Sequence, residues 1–103
     1  MAVEAAAFLA AEGVPARVIS MPCLERFNAQ ERSYRESVLP STMKLVSIEL
    51  GRTTPWASVV GREGLMLGID TFGESAPAEK LAHHYQMTPP QVSARIMAWY
   101  RGL

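Results

Sequence analysis

The sequence predicts an α/β fold in three layers, with a mostly parallel sheet at the centre and helices on both faces. Three observations point there. Helical and strand patterns alternate in the order α-β-α-α-β-α-β-α-α, and strands separated by helices pair in parallel through crossovers. Leu65 to Ile69 reads Leu-Met-Leu-Gly-Ile, a nearly continuous apolar run of the kind buried on both sides of a sheet. Met1 to Glu12 is apolar nearly all round, with Val3, Phe8 and Leu9 set among alanines, which suits a helix buried against a sheet.

The elements follow in order. The alanine density of Met1 to Glu12 predicts a helix, and Gly13 is placed to end it in the left-handed conformation. No Ser, Thr, Asp or Asn precedes the first apolar residue, so the first N–H groups of this helix lack a side-chain cap. That start is expected to fall inside a helix entered, in a longer ancestor, from a preceding strand. Arg17-Val-Ile-Ser-Met21 is a short β-branched run and reads as a strand. Pro22 suits the first position of a helix carrying Leu24 and Phe27. Asn28 and Glu31 have capping-box spacing ahead of a helix that carries Tyr34 and Val38 and stops before Pro40. Lys44 to Leu50 reads as the clearest strand, with Val46, Ile48 and Leu50 alternating against Leu45, Ser47 and Glu49. A short helical turn through Trp56 and Val60 leads to the third strand, Gly64 to Asp70. Pro77 opens a helix with Ala78, Leu81, Ala82 and Tyr85 on its core face. Thr88 and Gln91 form a capping box around Pro89, and Val92, Ile96, Trp99 and Leu103 line the final helix.

A chain of 103 residues suits one domain over 1–103. Its 10 basic and 10 acidic residues cancel, which removes the electrostatic reason to expect nucleic acid or an anionic membrane as partner. One cysteine excludes an internal disulfide and a cysteine-based zinc finger, and fits a reducing compartment. The longest apolar run, Ala5 to Ala11, falls far short of the ~20 residues of a membrane span, and no Lys or Arg precedes it as in a secretory signal. The expected location is the cytoplasm.

Val18-Ile-Ser-Met-Pro-Cys23, Phe27 and Tyr34-Arg-Glu-Ser-Val-Leu-Pro40 come next to Val46-Ser-Ile-Glu49, Trp56, Gly61, Gly68-Ile-Asp70, Phe72-Gly73 and Ser75-Ala-Pro-Ala-Glu79. In that order and spacing they resemble the C-terminal domain of transketolase, over nearly the whole chain. The resemblance implies one domain of an enzyme of the pentose phosphate pathway that moves a two-carbon ketol unit between sugar phosphates on thiamine diphosphate and Mg²⁺. It implies that cofactor and substrate sites belong to the two preceding domains. Their Gly-Asp-Gly motif and Asn pair, which supply oxygen ligands to a hard cation, do not occur here, and Asn28 is the only asparagine. No catalytic, cofactor-binding or metal-binding residue is therefore carried over, and the domain is expected to be structural and inactive alone. A strand and a Thr-Gly-Ser-Glu-type loop precede the first helix in such enzymes. An unpaired sheet position is expected to recruit a second copy, giving self-association, or the missing transketolase domains.

Other candidates have a functional and a bland reading. Cys23 beside Pro22 at a helix start suits a reactive thiolate, but no Asn or Asp near either histidine orients a base, and a small buried residue explains it. His83 and His84 are adjacent, so on a helix they diverge by about 100° and do not form an i, i+4 metal pair. Glu49 and Asp70 fall at the carboxyl ends of predicted strands, where α/β sheets place ligand groups; their bland role is to satisfy loop N–H groups or an Arg such as Arg52. Gly61-Arg-Glu-Gly64 has the Gly-x-x-Gly form of a nucleic-acid-binding KH loop, but it lies between a turn and a strand and its two charges cancel. Ser75 and Ala78, around Pro77, mark a helix start able to hold an anion, although Pro77 removes a donor and a structural cap explains them. Trp56, Met97, Trp99 and Tyr100 suit core or interface. The alternative function is a stand-alone module that binds a partner protein or an anionic metabolite.

Overall fold

The computed structural model describes residues 1–70 and 78–102. In chain order these form α1 (Ala2–Ala11), α2 (Leu24–Asn28), α3 (Arg32–Val38), β1 (Val46–Ile48), a 3₁₀ turn (Thr54–Trp56) running into α4 (Ala57–Val60), β2 (Leu65–Leu67), α5 (Ala78–His84) and α6 (Pro89–Tyr100). The two strands pair in parallel, with Val46 opposite Leu65, Ser47 opposite Met66 and Ile48 opposite Leu67. The class is α/β with a parallel sheet, as the alternation of elements predicts, but among the described residues the sheet has two strands where three were expected.

Side chains alternate across a strand, so Val46, Ile48, Leu65 and Leu67 share one face. The core lies there. Leu67 clusters with Ala5 and Leu9 of α1, with Met87, and with Val92, Ile96 and Met97 of α6, while Val46, Ile48 and Leu65 pack against the edge of the cluster. Leu67, Met87 and Val92 are the largest fully buried side chains. α1 packs chiefly on α6, and α6 in turn on β2. The all-round apolar surface of α1 is therefore only half used: Ala5 and Leu9 are buried, whereas Val3 is 70% exposed and Phe8 47%. The expectation of a helix buried against the sheet holds for one stripe.

Three other expectations need correction. Residues 17–21 are not a strand: no backbone hydrogen bond joins them to β1 or β2 among the described residues, and β-propensity makes a strand only where a ladder partner lies alongside. Pro22 and Asn28 do not start helices. α2 begins at Leu24 with Cys23 as N-cap, Asn28 is its last residue, and α3 has Glu31 as an N-cap without a side-chain bond. The two strands are also shorter than 44–50 and 64–70. Glu49 N–H still donates to the Leu67 carbonyl at 3.0 Å, but the Ile69 N–H reaches the Gly51 carbonyl at 2.8 Å. A regular ladder would use Glu49 there, so Leu50 and Gly51 are bulged out and Leu50 is 61% exposed.

The helix ends follow the sequence signals more closely. α1 has no side-chain cap, and the Met1 ammonium pairs with the Glu4 carboxylate at its start. It closes in a Schellman motif: Gly13 has φ +84°, its N–H donates to Ala10 and that of Val14 to Leu9. At α6, the Gln91 Oε1 accepts from the Thr88 N–H at 3.3 Å and from the Thr88 hydroxyl at 2.6 Å. This is the predicted capping box, with Pro89 in the first turn. The predicted contribution of Pro77 and Leu103 lies outside the described residues.

Candidate functional site

The carboxyl ends of β1 and β2 are where an open α/β sheet gathers ligand groups. Glu49 directly follows β1, and Asp70 lies three residues beyond β2. The chain between them turns on two close approaches. A Cβ on Gly68 would lie 2.6 Å from the Gly51 carbonyl oxygen and 2.7 Å from Thr53 Cγ2, so only glycine lets the two loops touch. Once they touch, Thr53 meets Asp70. Its N–H donates to Oδ1 at 2.8 Å and its hydroxyl to Oδ2 at 2.7 Å. These two bonds, the backbone one first, hold the Asp70 carboxyl below the usual range, with a smaller pull from the Arg52 guanidinium. Both oxygens of Asp70 are thus engaged in fixing the loop.

Glu49 faces elsewhere. It lines a shallow hollow of about 360 Å³ with Met21, Cys23, Glu25, Arg52 and Trp56, and Asp70 does not line it. Cys23, half-buried, points its thiol at the Glu25 Oε2, 3.4 Å away. No histidine lines this hollow, so the cysteine–histidine pairing considered from the sequence is not formed there. His83 and His84 are exposed at the end of α5, and the His84 ring meets Tyr85 edge-on at 4.8 Å. Ser75 lies outside the described residues, and Ala78 is the first residue of α5. The Gly61–Gly64 turn joins α4 to β2, not two helices.

Several partners had no signal in the sequence. Thr53 sits in the Gly51-Arg-Thr-Thr-Pro55 loop, seventeen positions before Asp70, with nothing periodic to link them. The Arg17 guanidinium donates to the Val38 carbonyl across twenty-one positions. The Lys44 ammonium sits 5.3 Å from the Trp99 ring and 5.5 Å from the Tyr100 ring, tying the approach to β1 to the end of α6. The Ser47 hydroxyl is buried with no hydrogen-bond partner among the described residues.

The fold is a parallel α/β layer whose strand-end carboxylate, Asp70, is bonded to its own loop. Residues 1–88 match the transketolase-like TK C-terminal domain, and the chain belongs to that family. It is 54% identical over 94 residues to a plasmid transketolase of Cupriavidus necator and 46% identical over 96 residues to transketolase 1 of Escherichia coli. These alignments cover 91% and 92% of this chain but 14% of each enzyme. A crystal structure of a transketolase variant from Pichia stipitis superposes with a TM-score of 0.86 at 31% identity, over 98% of this chain and 15% of that one. The chain therefore spans about one seventh of the length of the curated relatives it matches. No helix among the described residues is long and apolar enough to cross a membrane.

Proposed function

We propose that this chain acts as one domain, the C-terminal domain of a transketolase, packing against the domains that carry the chemistry and performing none itself. The observation that carries this reading is the 54% identity over nearly the whole chain to a seventh of a complete enzyme. The parent enzyme transfers a two-carbon ketol unit between sugar phosphates, with thiamine diphosphate and Mg²⁺ supplying the chemistry. The residues present here do not fit that group. Among the described residues no three His, Cys, Asp or Glu side chains gather to hold a metal ion, and the chain contains no Gly-Asp-Gly.

Surface features support an interface role. In β1, Leu45 and Glu49 bond to β2, so the backbone groups of Val46 and Ile48 face the opposite edge. No backbone hydrogen bond takes up that edge among the described residues. An open edge, together with the exposed Val3 and Phe8 of α1, leaves surface for another chain or domain to pack on. Cytoplasmic location fits such an enzyme.

The test is a ketol-transfer assay of the purified chain with thiamine diphosphate, Mg²⁺ and sugar phosphates. No turnover is expected from the chain alone, and stable co-elution is expected with separately produced transketolase catalytic domains. Turnover by the chain alone, or failure to co-elute, counts against the reading.

A further inference from the structure

Residues 27–45 and 58–64 enclose a cleft of about 750 Å³. It lies at the amino ends of β1 and β2, the opposite end of the sheet from Glu49 and Asp70. Four of its lining side chains are cations: Arg32 and Arg35 from α3, Lys44 from the approach to β1, and Arg62 from the Gly61–Gly64 turn. Two are carboxylates, Glu36 and Glu63. In a chain whose charges sum to zero, this is a local excess of two positive charges.

Neither carboxylate forms an ion pair with these cations among the described residues, although the Arg32 guanidinium adds a small pull that helps hold the Glu36 carboxyl below its usual range. Glu36 Oε1 accepts from the Ser41 N–H and hydroxyl, both at 2.8 Å. Among the described residues none of the four cations takes part in an ion pair, the pair that exists being Met1 with Glu4. Two of the cations are stationed by other bonds. Arg35 Nε donates to the Gln30 carbonyl at 3.1 Å, and Lys44 stays over the rings of Trp99 and Tyr100. Arg32 and Arg62 remain exposed on two separate elements.

The turn that carries Arg62 is held tightly. Gly61 adopts φ +76°, its N–H donates to Ala57 at 3.1 Å, and the Gly64 N–H returns to Gly61 at 3.3 Å. A Cβ on Gly64 would lie 2.4 Å from the Val60 carbonyl oxygen, so the turn has no room for another residue there. The fixed backbone of the turn sets where the Arg62 side chain starts, so binding has only that side chain to order there.

We propose that this cleft binds a small phosphate-bearing anion, with Arg32 and Arg62 as the residues that engage it. Guanidinium forks match phosphate oxygens two at a time, and a cleft of this volume falls within the ~300–1,000 Å³ of small-molecule sites. The hydroxyls of Thr42 and Ser58 line the same cleft and supply further donors. The proposal is independent of the transketolase reading, since a chain without ketol-transfer activity binds or fails to bind an anion here on its own account.

The test uses the 103-residue chain with pyrophosphate as probe, against sodium chloride and citrate at matched ionic strength. Amide resonances of Gly61 and Gly64 are followed by NMR, with melting temperature as a second readout. Saturable shifts at both glycines and a rise in melting temperature are expected with pyrophosphate. At least a tenfold loss of affinity is expected in the Arg32→Gln/Arg62→Gln double variant, with Arg62→Lys in between. Neither side chain makes an ion pair among the described residues, so the variants should fold, which amide dispersion checks directly. An equal response to chloride marks a merely solvated charged face and overturns the proposal. So does unchanged affinity in the double variant, and citrate binding as tightly as pyrophosphate overturns the phosphate assignment.

Discussion

Asp70 shows how one side chain links two loops and makes stability depend on pH. Its carboxyl is depressed in the folded chain by the Thr53 N–H and hydroxyl, so the ionised form is favoured over that in the unfolded chain. The resulting stability is complete above the ordinary value of 3.8 and is lost as pH falls through the lower folded value. Glu36 behaves alike through Ser41, and Glu4 through the terminal ammonium. Asp70→Asn is expected to lower the melting temperature at pH 7, with the gap to the parent chain closing as pH falls below 3.8, as thermal melts across pH would show. Deeper in the core the effect is larger and insensitive to pH. Met87 is fully buried between α5 and α6, and Met87→Ala is expected to cost about 2–5 kcal/mol in urea denaturation by lost burial and a residual cavity. Ser47 is the opposite case. Its buried hydroxyl has no partner among the described residues, so Ser47→Ala is expected to raise stability by about 1 kcal/mol in the same measurement.

At the scale of elements, what could be read from sequence were the features that depend on neighbouring residues. Gly13 after an alanine run, and Thr88-Pro-Pro-Gln91 ahead of an apolar stripe, each specify a helix end through bonds spanning a few positions, and both ends form as expected. Val46-Ser-Ile48 and Leu65-Met-Leu67 likewise announce their strands. What could not be read depends on distant partners. Arg17-Val-Ile-Ser-Met21 has the composition of a strand but no ladder beside it, and the Leu50–Gly51 bulge arises from the close approach of Gly68. At the candidate site, the positions of Glu49 and Asp70 past strand ends were legible, whereas the Thr53 bonds and the cleft of Arg32 and Arg62 required loops to meet in space. Gly68→Ala tests the bulge. Its Cβ would overlap the Gly51 carbonyl, so the Ile69 to Gly51 bond should break, read as faster amide exchange at Ile69. Gly13→Ala meets no atom within 4 Å and is expected to cost only about 1 kcal/mol, from its positive φ.

For the whole molecule, a two-stranded sheet covered by α1 and α6 on one face leaves much surface without a neighbour. Val3, Phe8 and Leu50 are exposed, and the outer edge of β1 has no strand beside it among the described residues. The chain is expected to associate with itself when no other transketolase domain is present. Light scattering across a concentration series should show mass rising above the 11.3 kDa of one chain; a constant monomer mass at high concentration would contradict this.

The half-used surface of α1 carries a cost inside a cell. A helix with Val3 and Phe8 facing water is what chaperones and proteases survey, so a copy lacking its counterpart should be short-lived while a docked copy persists. If the chain packs on transketolase catalytic domains as proposed, its abundance would then track theirs, and a pulse-chase with and without co-expressed catalytic domains would register the difference as a change in half-life.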